Sequence, residues 1–325
     1  EPARKGEAEI MLLEDVASMT LDLDHGVKRL RTPQSRATAR IDERIEFAMY
    51  LTGGASVTRD AALGPYKQEE YRLEKPHRLL GKVADGQGWS ELATDPPRTL
   101  YRDLALTLEL VDVNGAAIES ELNVLAQTGL KLADALNRQT RFSAEFEPAL
   151  QRARQLYEFC EAFDVIAAIN VGAADAEGLR GRLIERAAGR LGFEFSPARV
   201  FVMKSVAAEG GRDLYTLANM LEPGTFDPAA WDRLVTPGVS VFMSVPLIPH
   251  PAAVFDKMAD AAMAMAEEVG GRLLDQDRKT LNDQGIAVIR RQIEEIGEKM
   301  RAFGVEPGSE SAGRLFGAAA PAAHG

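Results

Sequence analysis

Apolar and polar residues alternate regularly in a run in the middle of the second half of the chain. In residues 239–245, valine or methionine fills every odd position, and Ser240, Phe242 and Ser244 fill the even ones. Successive side chains of a strand point to opposite faces, so this run has one uniformly apolar face and one mixed face. Two earlier runs have the same two-sided character, residues 165–171 and residues 214–221.

The mixed faces of these runs predict an exposed apolar surface. Antiparallel sheets commonly bury one face under helices and leave the other in water. We therefore expect the uniformly apolar side to be covered and the mixed side to be open. A contiguous apolar patch on an open side usually marks an interaction site. The pattern predicts a sheet surface that receives a peptide, with the mixed side carrying Ile166, Ala168, Ala218, Met220, Ser240 and Phe242.

Several spaced motifs resemble the C-terminal domain of the ZipA family of bacterial cell-division proteins. They are LANMLEPGTFDP at 217–228, TPGVSVFMSVP at 236–246, EEVGGRLLDQDRKTLN at 267–282 and the shorter INV at 169–171. The resemblance covers residues 163–303. It implies a domain that binds the C-terminal tail peptide of the tubulin-like protein FtsZ in a shallow apolar groove on an open sheet face. It also implies a role in tethering FtsZ to the inner membrane.

The resemblance implies a set of groove residues: Ile166, Ala168, Ala198, Val200, Ala218, Met220, Glu222, Ser240 and Phe242. Two of them depart from the family pattern. Ala198 stands where the family can carry a groove methionine, and Glu222 replaces a lysine. Glu222 would repel acidic residues of a tail peptide. Residues 199–207 are apolar on both faces, so alternation does not decide which of them face the groove.

The hydrophobic pattern divides the chain into four parts. Residues 1–42 are polar and charge-mixed, which is typical of a linker, with a short helix near 8–16. Residues 43–160 and 161–303 each predict an antiparallel sheet with helices on one side and the other side open, an α+β fold. Residues 304–325 are rich in Gly, Ala, Ser and Pro, which predicts a disordered tail. In the second block, helices are expected at 176–191 and 252–269, with strands at 165–171, 199–207, 214–221, 239–245 and 272–275. A last helix is expected to carry one apolar stripe, formed by Ile286, Ile289, Ile293, Ile296 and Met300.

The first block repeats the element order of the second in a weaker form. Strands are expected at 44–51, 77–83, 89–92 and 104–111, and helices at 118–136 and 148–160. The simplest interpretation is an internal duplication with a degenerate first copy. Thr107 falls near the position of Phe242, so the first copy is expected to bind the same peptide poorly or not at all.

Composition limits the classes of partner. The net charge of −11 disfavours nucleic-acid binding, which needs clustered Lys and Arg, and it disfavours direct docking on anionic lipid. The single cysteine, Cys160, excludes an intrachain disulfide and fits a reducing compartment. No run approaches the roughly 20 apolar residues that a membrane span needs. We expect membrane association only through an N-terminal anchor upstream of Glu1, with this chain on the cytoplasmic face.

Neither a catalytic group nor a cofactor site is evident in the sequence. The LDLDHG stretch at 21–26 offers potential metal ligands, but a solvated acidic stretch is the simpler interpretation. His77 and His250 stand in loop-like surroundings without a nucleophile beside them. We expect a binding protein without cofactor. The alternatives are a hydrolase site between the blocks, a self-associating scaffold whose open faces pack together, and Phe242 and Met220 buried under the linker or the first block.

Overall fold

The computed structural model describes residues 39–84, 88–206, 211–275 and 277–317. They form two compact units that divide between Ala162 and Phe163. Each unit combines an antiparallel sheet with helices, so the predicted α+β class is confirmed. Residues 1–38 of the linker expected at 1–42, with its short helix and the LDLDHG stretch, lie outside the described residues, as do residues 318–325 of the tail.

In the first unit, helices cover one face of a sheet with the order β4-β3-β5-β1-β8. Helix α2 packs on β1, β5 and β8. Its close approach to the sheet depends on Gly129, because a Cβ atom at that position would overlap Met49 Sδ. The elements of this unit are β1 (Glu46–Thr52), β2 (Val57–Thr58), α1 (Arg59–Lys67), β3 (His77–Val83), β4 (Trp89–Glu91), β5 (Leu100–Glu109), β6 (Val111–Asp112), β7 (Gly115–Ala116), α2 (Glu119–Ala135), β8 (Gln139–Phe142) and α3 (Phe146–Phe163).

The second face of the first sheet is buried, contrary to the expectation of an open face. Ala48 and Thr107 on this face are fully buried, and so is the Glu46 carboxylate, which forms an ion pair with Arg78 at 3.0 Å. Residues 39–44 run along the face: Arg78 Nη2 donates to the carbonyl of Arg40, and Ala39 forms a β-bridge with Trp89. The end of the predicted linker therefore belongs to this unit.

In the second unit, the sheet order is β11-β12-β13-β15-β9-β16. Helix α5 covers β9, β15 and β16, and α4 and α6 pack against α5. This core takes the uniformly apolar side of the strands, as predicted. The elements are β9 (Ile166–Ala173), β10 (Leu179–Arg180), α4 (Gly181–Arg190), β11 (Glu194–Phe195), β12 (Phe201–Lys204), β13 (Asp213–Asn219), β14 (Val235–Thr236), β15 (Gly238–Ser244), α5 (Pro251–Val269), β16 (Gly271–Leu274), α6 (Asp283–Phe303) and α7 (Glu310–Phe316).

The helix predicted at 176–191 begins five residues late. Residues 179 and 180 instead form β10, which pairs with β14. Gly178 has φ +77°, a left-handed conformation that breaks a helix, and Gly181 packs so tightly that a Cβ atom there would lie 2.7 Å from the carbonyl oxygen of Trp231. Leu179 falls inside the predicted helix, but it belongs to β10 and is buried there.

The two sheets differ in the chain order of two strands. In both sheets the first strand lies between the last strand and the strand that precedes the long helix α2 or α5. In the second sheet, β13 lies beside β15 and β12 lies farther out, so the outer strand comes first in the chain. In the first sheet β3 precedes β4 in the chain but lies on the inner side. The degenerate-copy interpretation of the first block stays a prediction, and any duplication has to include this exchange.

The C-terminal segment is ordered through residue 317, contrary to the predicted disorder from residue 304. Val305 and Ala312 are buried, and α7 packs beside the turn at Val245–Leu247. The amide of Gly308 donates to the carbonyl of Pro246 at 2.8 Å. Low-complexity composition predicted disorder here, but two buried apolar side chains and this hydrogen bond hold the segment on the second unit.

Candidate functional site

The mixed side of the second sheet forms one continuous face, which we call the open face. Strand pairing places Phe242 opposite both Thr216 and Ala168, and Ser240 opposite both Ala218 and Asn170. Directly paired residues point to the same side of a sheet. One row away, Ser244 lies opposite Ile166. The structure thus brings together the predicted groove residues of β9, β13 and β15.

An apolar cluster occupies the β12–β13 end of the open face. It contains Val200, Val202 and Ala218, with the half-buried ring of Phe242 packed against them. Val202 lies opposite Thr216, which fixes the side of β12 that faces the cluster. These contacts place Phe242 at the border of the cluster rather than in the main core.

Two paired glycines lie on the part of the open face that β9 and β15 form. Gly172 and Gly238 lie opposite each other on β9 and β15. A Cβ atom at Gly238 would lie 2.5 Å from Met220 Sδ, and a Cβ atom at Gly172 would overlap Leu274 Cδ1. Met220 and Leu274 therefore lie across the two glycines from opposite sides, and the missing side chains make room for them.

A hydrogen-bond network fixes the turn that follows Met220. The hydroxyl of the buried Thr236 donates to Asn219 Oδ1 at 2.6 Å, and the same oxygen accepts from the amide of Leu221 at 3.1 Å. The amide of Asn219 donates to the carbonyl of Gly224 at 2.9 Å. The LANM and TPG motifs thus meet in space, and their polar residues position Met220 on the open face.

The GTFDP motif supports β12 from the covered side. Phe226 is fully buried, with ring centroids 5.5 Å from Phe201 and 5.3 Å from Trp231. Its amide donates to the carbonyl of Arg199 at 2.7 Å. This aromatic group anchors the connection that precedes β12, and it thereby positions Val200 and Val202 on the opposite side.

Two predicted groove residues, Ala198 and Glu222, lie exposed in turns. Ala198 is exposed in a turn before β12 and is not a strand residue. Pro197 precedes it, and Arg199 has φ +62°, so the chain reverses direction at this point. Glu222 is exposed in the turn after β13, where the amide of Gly224 donates to the carbonyl of Leu221.

Alternation along single strands missed two residues of the open face. Val202 could not be assigned because residues 200–203 are apolar at every position. Leu274 ends a short strand and lies opposite Asn170, whose amide nitrogen donates to the carbonyl of Asp275 at 3.2 Å. Strand register decides both positions, and the only sequence signal for Leu274 is the Gly172–Gly238 pair that it packs against.

Charged groups border the open face. Lys204 Nζ donates to Glu194 Oε2 at 2.8 Å, and this hydrogen bond raises the pKa of Lys204 above its usual value. Arg272 lies opposite Gly172 at the β16 edge, and Glu222 follows Met220 at the β13 side. Neither Arg272 nor Glu222 forms an ion pair with another described residue.

No metal or membrane element accompanies this face in the part of the chain that the structure describes. His, Cys, Asp and Glu side chains there form no group of three that could hold a metal ion. Within the same ranges, no helix has both the length and the apolar character needed to cross a bilayer.

Replacing Gly238 by alanine should destabilise the second unit by about 1–3 kcal/mol, the range typical of overpacking. The added methyl group would meet the backbone oxygen of Val171 as well as Met220, so a rotamer change alone does not relieve the overlap. Chemical denaturation measures the loss. Gly189→Ala in α4 is the matched control because no atom lies within 4 Å of its Cβ position, and it should be neutral or stabilising. Equal effects of the two changes would contradict the packing described here.

Comparison with known proteins agrees with this geometry. Residues 165–292 match the family described as ZipA, C-terminal FtsZ-binding domain. A curated relative, the cell division protein ZipA of Stutzerimonas stutzeri (strain A1501), is 35% identical over 128 residues, which cover 39% of this chain and 47% of the relative. The match thus spans about half the length of that relative.

The matched region includes β9 to β16 and the whole covered core up to the first half of α6, and it excludes the first unit. The resemblance inferred from the LANM, TPG and GGRLL motifs is confirmed. Within the second unit, residues 165–292 are thus similar to the family of ZipA C-terminal FtsZ-binding domains.

Proposed function

We propose that the open face of the second unit binds the C-terminal tail peptide of FtsZ in bacterial cell division. The family match of residues 165–292 carries this proposal. The face itself supports it, since the apolar cluster of Val200, Val202, Ala218 and Phe242 lies on the side of the sheet opposite the core that the described helices cover. Apolar side chains of a peptide would be buried against this cluster, and Met220 and Leu274 would border it.

The chemistry of the open face favours binding over catalysis. Its polar side chains are hydroxyl and amide groups, those of Thr216, Ser240, Ser244 and Asn170. The two histidines within the described ranges lie elsewhere, His77 on β3 of the first unit and His250 at the start of α5. A hydroxyl without a neighbouring base is a weak nucleophile, so these groups are suited to contact a peptide.

A shallow apolar interface of this kind would bind with micromolar affinity, which corresponds to roughly −8 kcal/mol. FtsZ forms polymers that carry many tails, so several copies of this protein on one polymer would gain avidity. We further propose that binding serves to hold FtsZ at the membrane through a membrane-anchored part of the whole protein.

Fluorescence anisotropy of a labelled FtsZ tail peptide, titrated with the full chain, tests the binding function. Saturable binding is expected, and Phe242→Ala should weaken it by at least tenfold, because a central aromatic contact is typically worth more than 1–2 kcal/mol. Leu183→Ala is the control, since Leu183 is equally apolar but lies exposed on α4.

Unchanged affinity of the Phe242→Ala protein would contradict the location of the site. Absence of binding in the wild-type protein would contradict the function. Light scattering of the same samples distinguishes the self-associating scaffold, whose mass would exceed that of one chain and would fall in the Phe242→Ala protein.

A further inference from the structure

Strand register places two cations on the open face, Lys204 and Arg272, and they differ in their counter-charges. Lys204 Nζ lies 2.8 Å from Glu194 Oε2, and Glu194 faces the same side because it lies opposite Val202. Arg272 lies opposite Gly172 at the other edge of the sheet and is exposed. Its guanidinium forms neither an ion pair nor a hydrogen bond with another described residue. Arg272 is therefore the cation of this face whose charge remains for a ligand.

Protection of the sheet edge does not account for Arg272. Charged side chains often prevent an exposed edge strand from pairing with another chain. Here the outer side of β16 is already paired within the second unit. The amide of Leu281 donates to the carbonyl of Leu273 at 3.0 Å, and the amide of Asp275 donates to the carbonyl of Lys279 at 2.9 Å. Because this returning segment covers the edge, a ligand has to approach Arg272 from the open face.

An apolar floor connects the Phe242 cluster with Arg272. Met220 lies over Gly238 and Leu274 lies over Gly172, since a Cβ atom on either glycine would overlap the neighbouring side chain. These two apolar side chains thus cover the part of the sheet that lies next to Arg272. A peptide whose apolar side chain packs on Phe242 would cross this floor on its way to the β16 edge.

The position of Arg272 relative to Phe242 defines a distance between two contacts. Gly238, Gly172 and Arg272 form one row across β15, β9 and β16. Phe242 therefore lies two inter-strand spacings from Arg272 across the sheet and four residues away along β15. Together these offsets give a Cα–Cα distance of roughly 16 Å. About three to five extended residues bridge this distance when an arginine and an acidic side chain reach toward each other.

We propose that Arg272 binds a carboxylate of the partner peptide, about three to five residues from the apolar side chain that contacts Phe242. This inference rests on the proposed function and adds a chemical requirement for the partner. A guanidinium binds a carboxylate through two parallel hydrogen bonds. The exposed Glu222, beyond Met220 at the other end of the row, would repel the same carboxylate. The two charges together fix the direction in which the peptide crosses the face.

Selection from random peptide libraries tests this requirement without FtsZ. The full chain is the bait, and the Phe242→Ala protein gives the background. In one library the C-terminus of each peptide is blocked by fusion, and in the other it is free, which separates an acidic side chain from a terminal carboxylate. Enriched peptides should carry a carboxylate about three to five residues from an apolar side chain. With Arg272→Gln as bait, the apolar residue should stay enriched and the carboxylate should not.

Anisotropy with a labelled selected peptide then measures the contribution of Arg272. Arg272→Gln should weaken binding about two- to fivefold, as expected for an exposed ion pair. The difference should disappear at about 0.5 M salt, where the Debye length is roughly 4 Å. Arg272→Lys should retain most of the affinity. Arg186→Gln is the matched control, because it removes the same charge from an exposed position on α4, on the covered side, and it should leave the affinity unchanged.

Three outcomes would overturn the proposal: no enrichment over the Phe242→Ala bait, apolar enrichment without a carboxylate in both libraries, or equal effects of Arg272→Gln and Arg186→Gln. A loss of affinity that persists at high salt would also overturn it, because Arg272 would then act through the structure and not through its charge. An FtsZ tail that binds without dependence on Arg272 contradicts this inference alone. Selected acidic peptides that bind the face while the FtsZ tail does not contradict the proposed function alone.

Discussion

Replacing Phe226 by alanine is expected to lower the unfolding free energy of the second unit by about 3–5 kcal/mol, the usual range for a fully buried aromatic side chain. The ring is completely inaccessible and packs between Phe201 and Trp231. Its loss would leave a cavity under β12, and the connection that carries Val200 would lose its anchor. Peptide binding should weaken together with stability, although Phe226 does not face the groove.

Urea unfolding followed by the fluorescence of Trp231, in a Trp89→Phe background, measures this effect in the second unit alone. Phe242→Ala is the matched control, because it removes the same ring from the opposite side of the same sheet. Phe242 is half-buried, so its loss should destabilise by about 1 kcal/mol or less while binding is lost. Similar losses of stability in the two proteins would place Phe242 in a core and would contradict the peptide-binding face.

Replacing Lys75 by alanine is expected to destabilise the first unit by about 3–5 kcal/mol, which is typical when one partner of a buried ion pair is removed. Lys75 Nζ lies 2.6 Å from Asp112 Oδ1, with both side chains at least nine-tenths buried, and it also donates to the carbonyl of Gly115 at 2.8 Å. Without the lysine, the Asp112 carboxylate would remain buried without its counter-charge. The β6–β7 hairpin would lose a contact at both strands.

The double change Lys75→Met/Asp112→Asn should recover much of this loss. Methionine fills the volume of the lysine stem, and asparagine keeps an oxygen that can accept from the amide of Asn114, as Asp112 does at 2.9 Å. Unfolding monitored by Trp89 fluorescence, in a Trp231→Phe background, compares the three proteins. A single-variant loss below about 1 kcal/mol would show that the pair behaves like an exposed salt bridge.

The sequence predicted the second unit well where periodicity is strict. Valine and methionine alternate with serine and phenylalanine along β15, so the two faces of this strand could be assigned before its neighbours were known. The helix at α5 was also identified closely, because Gly270 follows its apolar stripe and adopts φ +68°. Strict alternation and a C-terminal glycine are local signals, and they need no knowledge of tertiary contacts.

Prediction failed where tertiary contacts decide the structure. Helix α1 was missed because its Gly64-Pro65 pair predicts a helix end, although Pro65 lies inside the helix. The inner position of β3 depends on pairing with β5, whose partner residues lie 18 to 31 positions further along the chain, and no local pattern encodes that choice. The buried second face of the first sheet depends on residues 39–44, whose polar composition predicted a linker.

For the candidate site, the sequence predicted which side of the sheet a residue faces better than it predicted which residues pack together. Alternation placed Ile166, Ala168, Ser240 and Phe242 on the same side, and strand register confirms it. Ala198 lies in a turn and not on a strand, because Arg199 adopts a left-handed conformation before β12. Leu274 was missed because its packing across Gly172 depends on two strands that are distant in sequence. That these residues bind a peptide stays a prediction.

The ordered C-terminal segment has a practical consequence for dissecting this protein into fragments. Sequence similarity ends at residue 292, in the middle of α6, whereas Ile293, Met300, Val305 and Ala312 are all buried beyond that point. A fragment that ends at residue 292 would lack the second half of α6 and its C-terminal cap, Gly304. Folding autonomy should therefore be assessed on fragments that extend through Phe316, because domain limits drawn from homology underestimate the cooperative unit.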